Sequence, residues 1–112
     1  MTLDEYQAQA RTTAVYPEEA RVLYPTLKLA GEAGEVAEKL GKLMRDEGFL
    51  PGETLRQEQR DALAKELGDV LWYVANLAAD LGLSLEGVGR INLEKLASRR
   101  DRGVLGGSGD ER

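Results

Sequence analysis

The chain contains no cysteine and no histidine, and each absence removes a class of chemistry. Without cysteine there is no disulfide, so the redox compartment is left open. Without either residue there is no zinc finger, no imidazole base and no thiolate nucleophile. A di-iron bundle site built on Glu-x-x-His pairs is excluded for the same reason. Any resident metal must be held by oxygen, which favours Mg²⁺, Mn²⁺ or Ca²⁺. No apolar run approaches transmembrane length, so no membrane partner is expected. The stretch Met1 to Ala10 is too polar and acidic for a signal peptide, and the expectation is a soluble, cytoplasmic protein. A basic excess is missing as well. The formal net charge is −5, which argues against nucleic acid as a partner. It leaves room for a small phosphate-bearing substrate, because metal ions neutralise an acidic pocket. Neither an internal repeat nor the alternating pattern of a strand is present.

What remains is helix. The 112 residues suit one domain of four helices, and a bundle this small leaves enough surface exposed to predict self-association. Thr2 and Asp4 suit the start of a first helix running to about Ala14. Val15 to Tyr24, with Pro17 inside and Pro25 following, reads as a loop or short turn. A second helix begins near Pro25, where proline is tolerated, and stops at about Glu47 before Gly48. Gly31, Gly34 and Gly41 each cost it roughly 1 kcal/mol against alanine, and glycines so placed predict close packing by a neighbour. Gly48 to Thr54 reads as a loop, with Thr54 as the cap of a third helix from about Leu55 to Leu81. Ser84 caps a fourth that ends near Arg102. Residues 1–102 form the domain, and 103–112 a glycine-rich tail, read as a frayed, mobile end. A flap closing over phosphates is the alternative for that tail.

Helix three carries an apolar stripe of Leu63, Leu67, Val70, Leu71, Val74, Leu77, Ala78 and Leu81. Along its flank, Glu66, Asp69, Tyr73, Asn76 and Asp80 recur at spacings of three and four and so stack in a row. Trp72 falls on the far side, where a second helix or a second subunit must cover it. Helix two offers Glu32 and Glu35 beside an apolar face of Leu27, Ala30, Ala33, Ala37, Leu40 and Met44. If the two helices pack antiparallel, Glu32-x-x-Glu35 faces Glu66-x-x-Asp69. Carboxylates gathered this closely repel, and a divalent cation removes the conflict. A solvated face accounts for such pairs equally well, and pattern alone does not choose between the two.

Gly31-Glu32-Ala33-Gly34-Glu35-Val36-Ala37-Glu38, followed by Glu66-Leu67-Gly68-Asp69-Val70-Leu71-Trp72-Tyr73, resembles the MazG-like nucleotide pyrophosphohydrolases, whose signature is Glu-x-x-Glu, a spacer, then Glu-x-x-Asp. The resemblance covers roughly Leu27 to Arg100. It implies an all-α, four-helix bundle-type fold assembled as a homodimer or homotetramer. It implies a Mg²⁺ site, with Mn²⁺ a possible substitute, made by the catalytic acids Glu32, Glu35, Glu66 and Asp69. It further implies hydrolysis of a (deoxy)nucleoside triphosphate between the α and β phosphates by metal-activated water, giving monophosphate and pyrophosphate in nucleotide pool control. Glu38 extends the acidic row and is read as solvated. Asn92, Lys95 and Arg99 share a stripe of helix four with Leu85, Val88 and Leu96. Asn-x-x-Lys here is also similar to the family, where such residues contact substrate phosphate or sugar. The other reading pairs Lys95 and Arg99 with protein carboxylates. Alternatives for the whole chain are a phosphoribosyl-ATP pyrophosphohydrolase or dUTPase-like enzyme and, from another class, a non-catalytic helical dimer acting as a binding module.

Overall fold

The computed structural model describes residues 1–112 and is all-α. Helix α1 spans Leu3–Arg11, α2 Leu23–Glu47, α3 Gln57–Asp80 and α4 Leu85–Asp101, with a short 3-10 turn over Glu18–Ala20. No helix is long and apolar enough to cross a membrane. Local chemistry sets the ends. The Thr2 hydroxyl accepts the Glu5 amide at 3.0 Å, and Ser84 does the same for Gly87 at 3.0 Å, each satisfying an amide that the helix itself leaves unpaired. Gly48 closes α2 in the left-handed region at φ 69°. The start of α3 differs from the expectation. Arg56, not Thr54, is its cap, because Gln59 reaches back and accepts the Arg56 amide at 2.8 Å.

Helix α3 is central. Helix α1 binds it and α4 together: Gln7 donates to the carbonyls of Ala75 and Leu83 and accepts the Leu85 amide. Asp4 accepts from the Ser84 hydroxyl and the Glu86 amide. Ala10, Ala75 and Leu85 form a small buried core, with Tyr6, Trp72 and Val74 packed on it. The helix that covers Trp72 is therefore α1 of the same chain, and the indole N–H donates to Thr13 Oγ1 at 2.8 Å. A second subunit is not needed at that position.

The four helices do not close into a bundle within one chain. Helix α2 packs on α3, and α4 on α1 and α3, while α2 and α4 diverge. The radius of gyration is 17.0 Å, against about 13 Å for a compact chain of this length. Helix α2 turns Leu29, Glu32, Val36, Lys39 and Leu43 toward α3. The face expected to be buried, with Leu27, Ala30, Ala33, Ala37, Leu40 and Met44, is exposed along its whole length. Helix α2 has two apolar stripes, and its own chain covers only one. A Cβ added at Gly31, Gly34 or Gly41 would meet nothing within 4 Å, so the close packing expected there is not made by this chain.

Candidate active site

The inward stripe of α2 and the flank of α3 bring three of the predicted acids together. Carboxylate oxygens of Glu32, Glu66 and Asp69 all lie within 4.8 Å of one another. Glu35, one turn further along α2, is exposed and stands outside this trio. Glu38 is solvated, paired with Lys42 at 3.2 Å. Lys39, which the sequence did not single out, reaches from α2 to Glu66 at 3.0 Å, and Lys28 approaches Glu32 at 4.0 Å. The donor set is all oxygen and anionic, and its spacing lies close to the coordination shell of a hard divalent cation, at roughly 2.0–2.6 Å per ligand. Small rotations of the partly buried Glu32 and Glu66 and the exposed Asp69 would complete the fit.

Glu32 and Asp69 of the trio line a cavity of about 360 Å³ together with Thr13, Trp72 and Tyr73. Trp72 and Tyr73 also wall a second cavity of about 340 Å³, with Val15, Tyr16, Pro17 and Tyr24. The aromatic rings form a chain: Tyr16 to Tyr24 at 5.2 Å, Tyr24 to Tyr73 at 6.2 Å and Tyr73 edge-on to Trp72 at 4.8 Å between centroids. Such spacings favour tilted and edge-to-face packing. Burial first, then Tyr24 and the negative charges of Glu32 and Asp69, push the Tyr73 hydroxyl up to about 12. Tyr73 therefore presents a proton, not an anion, beside the acids.

A family model described as the MazG nucleotide pyrophosphohydrolase domain matches residues 24–104, a span that contains both acidic pairs. The chain belongs to the MazG family. Similar proteins include Gene 37 protein of Mycobacterium phage L5, 48% identical over 118 residues and covering 100% of both chains. Uncharacterized protein YvdC of Bacillus subtilis (strain 168) is 40% identical over 76 residues, 63% of this chain and 68% of that one. No solved structure matches the chain.

On α4 of this MazG domain, Lys95 and Arg99 face the chain's own tail. Lys95 Nζ lies 3.1 Å and Arg99 Nη2 3.2 Å from the carboxylate of Asp110. Arg99 is buried and also donates to the carbonyls of Gly109 and Asp110, while its Nε has no partner. Asn92 is exposed. No polar contact joins any of the three to the acidic trio. The tail, expected as a frayed end, folds back on α4 through these contacts of Asp110 and Gly109, and Arg112 ties the tail to itself by donating to the carbonyls of Val104, Leu105, Gly106 and Gly109. Positive φ at Gly103, Gly107 and Gly109 permits those turns.

Two residues of the α3 row do work that spacing did not reveal. Asn76, almost fully buried, donates to the Trp72 carbonyl and accepts from Arg11. Asp80 accepts from the Tyr16 hydroxyl at 2.8 Å and from the Val22 amide at 3.0 Å. Arg11 Nη2 stands 2.6 Å from its other oxygen. Burial alone would raise the Asp80 carboxyl, but these partners win and hold it below its usual value.

Proposed function

We propose that this chain hydrolyses nucleoside triphosphates, ribo- or deoxyribo-, to monophosphate and pyrophosphate, with Mg²⁺ (Mn²⁺ as a substitute) held by Glu32, Glu66 and Asp69. One observation carries the reading: the acidic cavity and the aromatic cavity share Trp72 and Tyr73 as a common wall. A triphosphate needs an acidic, cation-ready cavity, and a nucleobase needs a flat aromatic one beside it. A divalent cation bound there would neutralise phosphate charge and acidify a water. The residues do the rest. The trio fixes the cation end, Tyr16, Tyr24 and Tyr73 offer stacking faces to the base, and the protonated Tyr73 hydroxyl is a donor for the intervening sugar or phosphate. Water oxygen attacks phosphorus, the bond between the α and β phosphates breaks, and pyrophosphate leaves. With histidine absent, the water's proton passes to a carboxylate of the cluster. Lys95, Asn92 and Arg99 enter as phosphate or sugar contacts, a role in which the triphosphate would displace the Asp110 carboxylate from Lys95 and Arg99. Pyrophosphate release over a panel of canonical nucleotides, dUTP, damaged nucleotides and phosphoribosyl-ATP, with and without Mg²⁺, tests this. Metal-dependent release from one class supports it. Absence of release from every nucleotide leaves the non-catalytic module.

The same reading includes self-association. The outward face of α2, with Leu27 64% exposed, and the exposed Leu67 and Leu71 of α3 match a second copy of the same surface. An isologous contact would use that face twice, and the glycines of α2 allow helix backbones to approach closely.

A further inference from the structure

Val22 is the one non-glycine residue with positive φ, at 67° and ψ −55°. Leu23 donates to the Arg21 carbonyl across it at 2.7 Å, which makes Arg21–Val22–Leu23 a γ-turn of the rarer, strained hand. A β-branched residue is a costly occupant there, and such strain persists only where surrounding contacts over-determine the backbone. Here the restraint is Asp80. Its side chain is 0% exposed, and one oxygen accepts both the Val22 amide and the Tyr16 hydroxyl. Arg11 closes the group: Nη2 faces the other Asp80 oxygen, and Nη1 donates to the Tyr16 oxygen at 2.9 Å and to Asn76 at 3.2 Å. The end of α3 thus holds the loop before α2 at two points. Between them that loop presents Tyr16 and Pro17 to the aromatic cavity, and Tyr24 follows immediately.

We propose that Asp80 is a positioning residue for the aromatic cavity, fixing Tyr16 and the entry to α2 so that the cavity is preformed for the planar ring of a nucleotide. The proposal rests on the functional reading above. Asp80 touches neither ring nor phosphate. It stands about three turns of α3 from Asp69, on the order of 16 Å along the helix axis, so its effect falls on the ring and not on the cation. Asn in its place keeps shape and one acceptor but turns an amide donor toward Arg11, and the loop loses its anion. Tyr16→Phe tests the same link from the other side, because it keeps the stacking ring and deletes only the hydroxyl that Asp80 holds.

Trp72 is the single tryptophan and lines both cavities, so its fluorescence reports occupancy directly. Wild type, D80N and Tyr16→Phe are titrated with Mg²⁺ alone and with the monophosphate of the best substrate from the nucleotide panel. Then KM and kcat are measured for the triphosphate. We expect both variants to keep helical circular dichroism and wild-type Mg²⁺ affinity. Nucleotide affinity should fall and KM rise about tenfold, as losing a hydrogen bond to a charged group would cause, with kcat little changed. Equal KM in folded variants overturns the proposal. Loss of Mg²⁺ affinity in step with nucleotide affinity overturns it too, since that marks a merely structural role. Should D80N fail to fold, Tyr16→Phe decides alone. A wild type that binds and cleaves no nucleotide overturns the functional reading, and this one with it. A responsive wild type with unaltered variants overturns only this one.

Discussion

At the residue scale, Lys39 is the cation nearest the carboxylate trio. Its ammonium is 3.0 Å from Glu66 and partly solvated, so the pair is weak, worth no more than about 1 kcal/mol, yet it competes with any metal. Lys39→Met should therefore tighten Mg²⁺ binding by roughly two- to fivefold, read by calorimetry; weaker binding would mean that Lys39 supports the site. The acids predict the reverse. Glu66→Gln or Asp69→Asn should lower turnover by at least about a hundredfold. The melting temperature should hold or rise, since one member of a repelling cluster is gone. Wild-type pyrophosphate release from either variant would remove the trio from catalysis. Asp80 makes a prediction about pH. Its folded value is depressed below 3.8, so its contribution to stability is complete above that value and is lost as pH falls through the lowered one. The gap between wild type and D80N, roughly 2–3 kcal/mol near neutrality, should narrow below pH 3.8, as denaturant melts across the acid range would reveal.

At the element scale, what the sequence made legible was local. Thr2, Ser84 and Gly48 name their helix ends because each acts on backbone within a turn of itself. The paired acids on α2 and α3 were legible for the same reason, as a helical period is a local signal. Two kinds of information were not local. Helix α2 carries two apolar stripes, and periodicity finds both without saying which one α3 takes. The Tyr16–Asp80 link joins residues 64 apart in sequence, and no pattern short of the fold foretells it. The tail shows the limit of composition, since its glycines read as disorder but serve turns that Arg112 closes. On α4, Lys95 and its partner Asp110 are both substantially exposed, and an exposed pair adds little stability. Lys95→Ala should accordingly leave the melting temperature almost unmoved while raising KM for the triphosphate. Unchanged kinetics with a clear drop in melting temperature would assign Lys95 to the tail alone.

At the scale of the whole molecule, only 9 of 112 residues are buried, a small share for a chain of this length, and the proposed self-association would raise it. Leu67 is 56% exposed, so Leu67→Glu should change a monomer by no more than about 0.5 kcal/mol. In an assembly that uses this face the same change should abolish association, which sedimentation at micromolar concentration would detect. The divergence of α2 from α4 has a dynamic consequence. Helix α2 packs mainly on α3, so its body is expected to detach from α3 without disturbing the α1–α4 junction, as a separate unit of local opening. Its amides should exchange with deuterium sooner than those of α3 around Ala75. The acidic trio straddles that very seam, with Glu32 on one side and Glu66 and Asp69 on the other. An ion gripping both sides favours the closed form by mass action. Added Mg²⁺ should therefore slow exchange along α2 selectively, even with no nucleotide present.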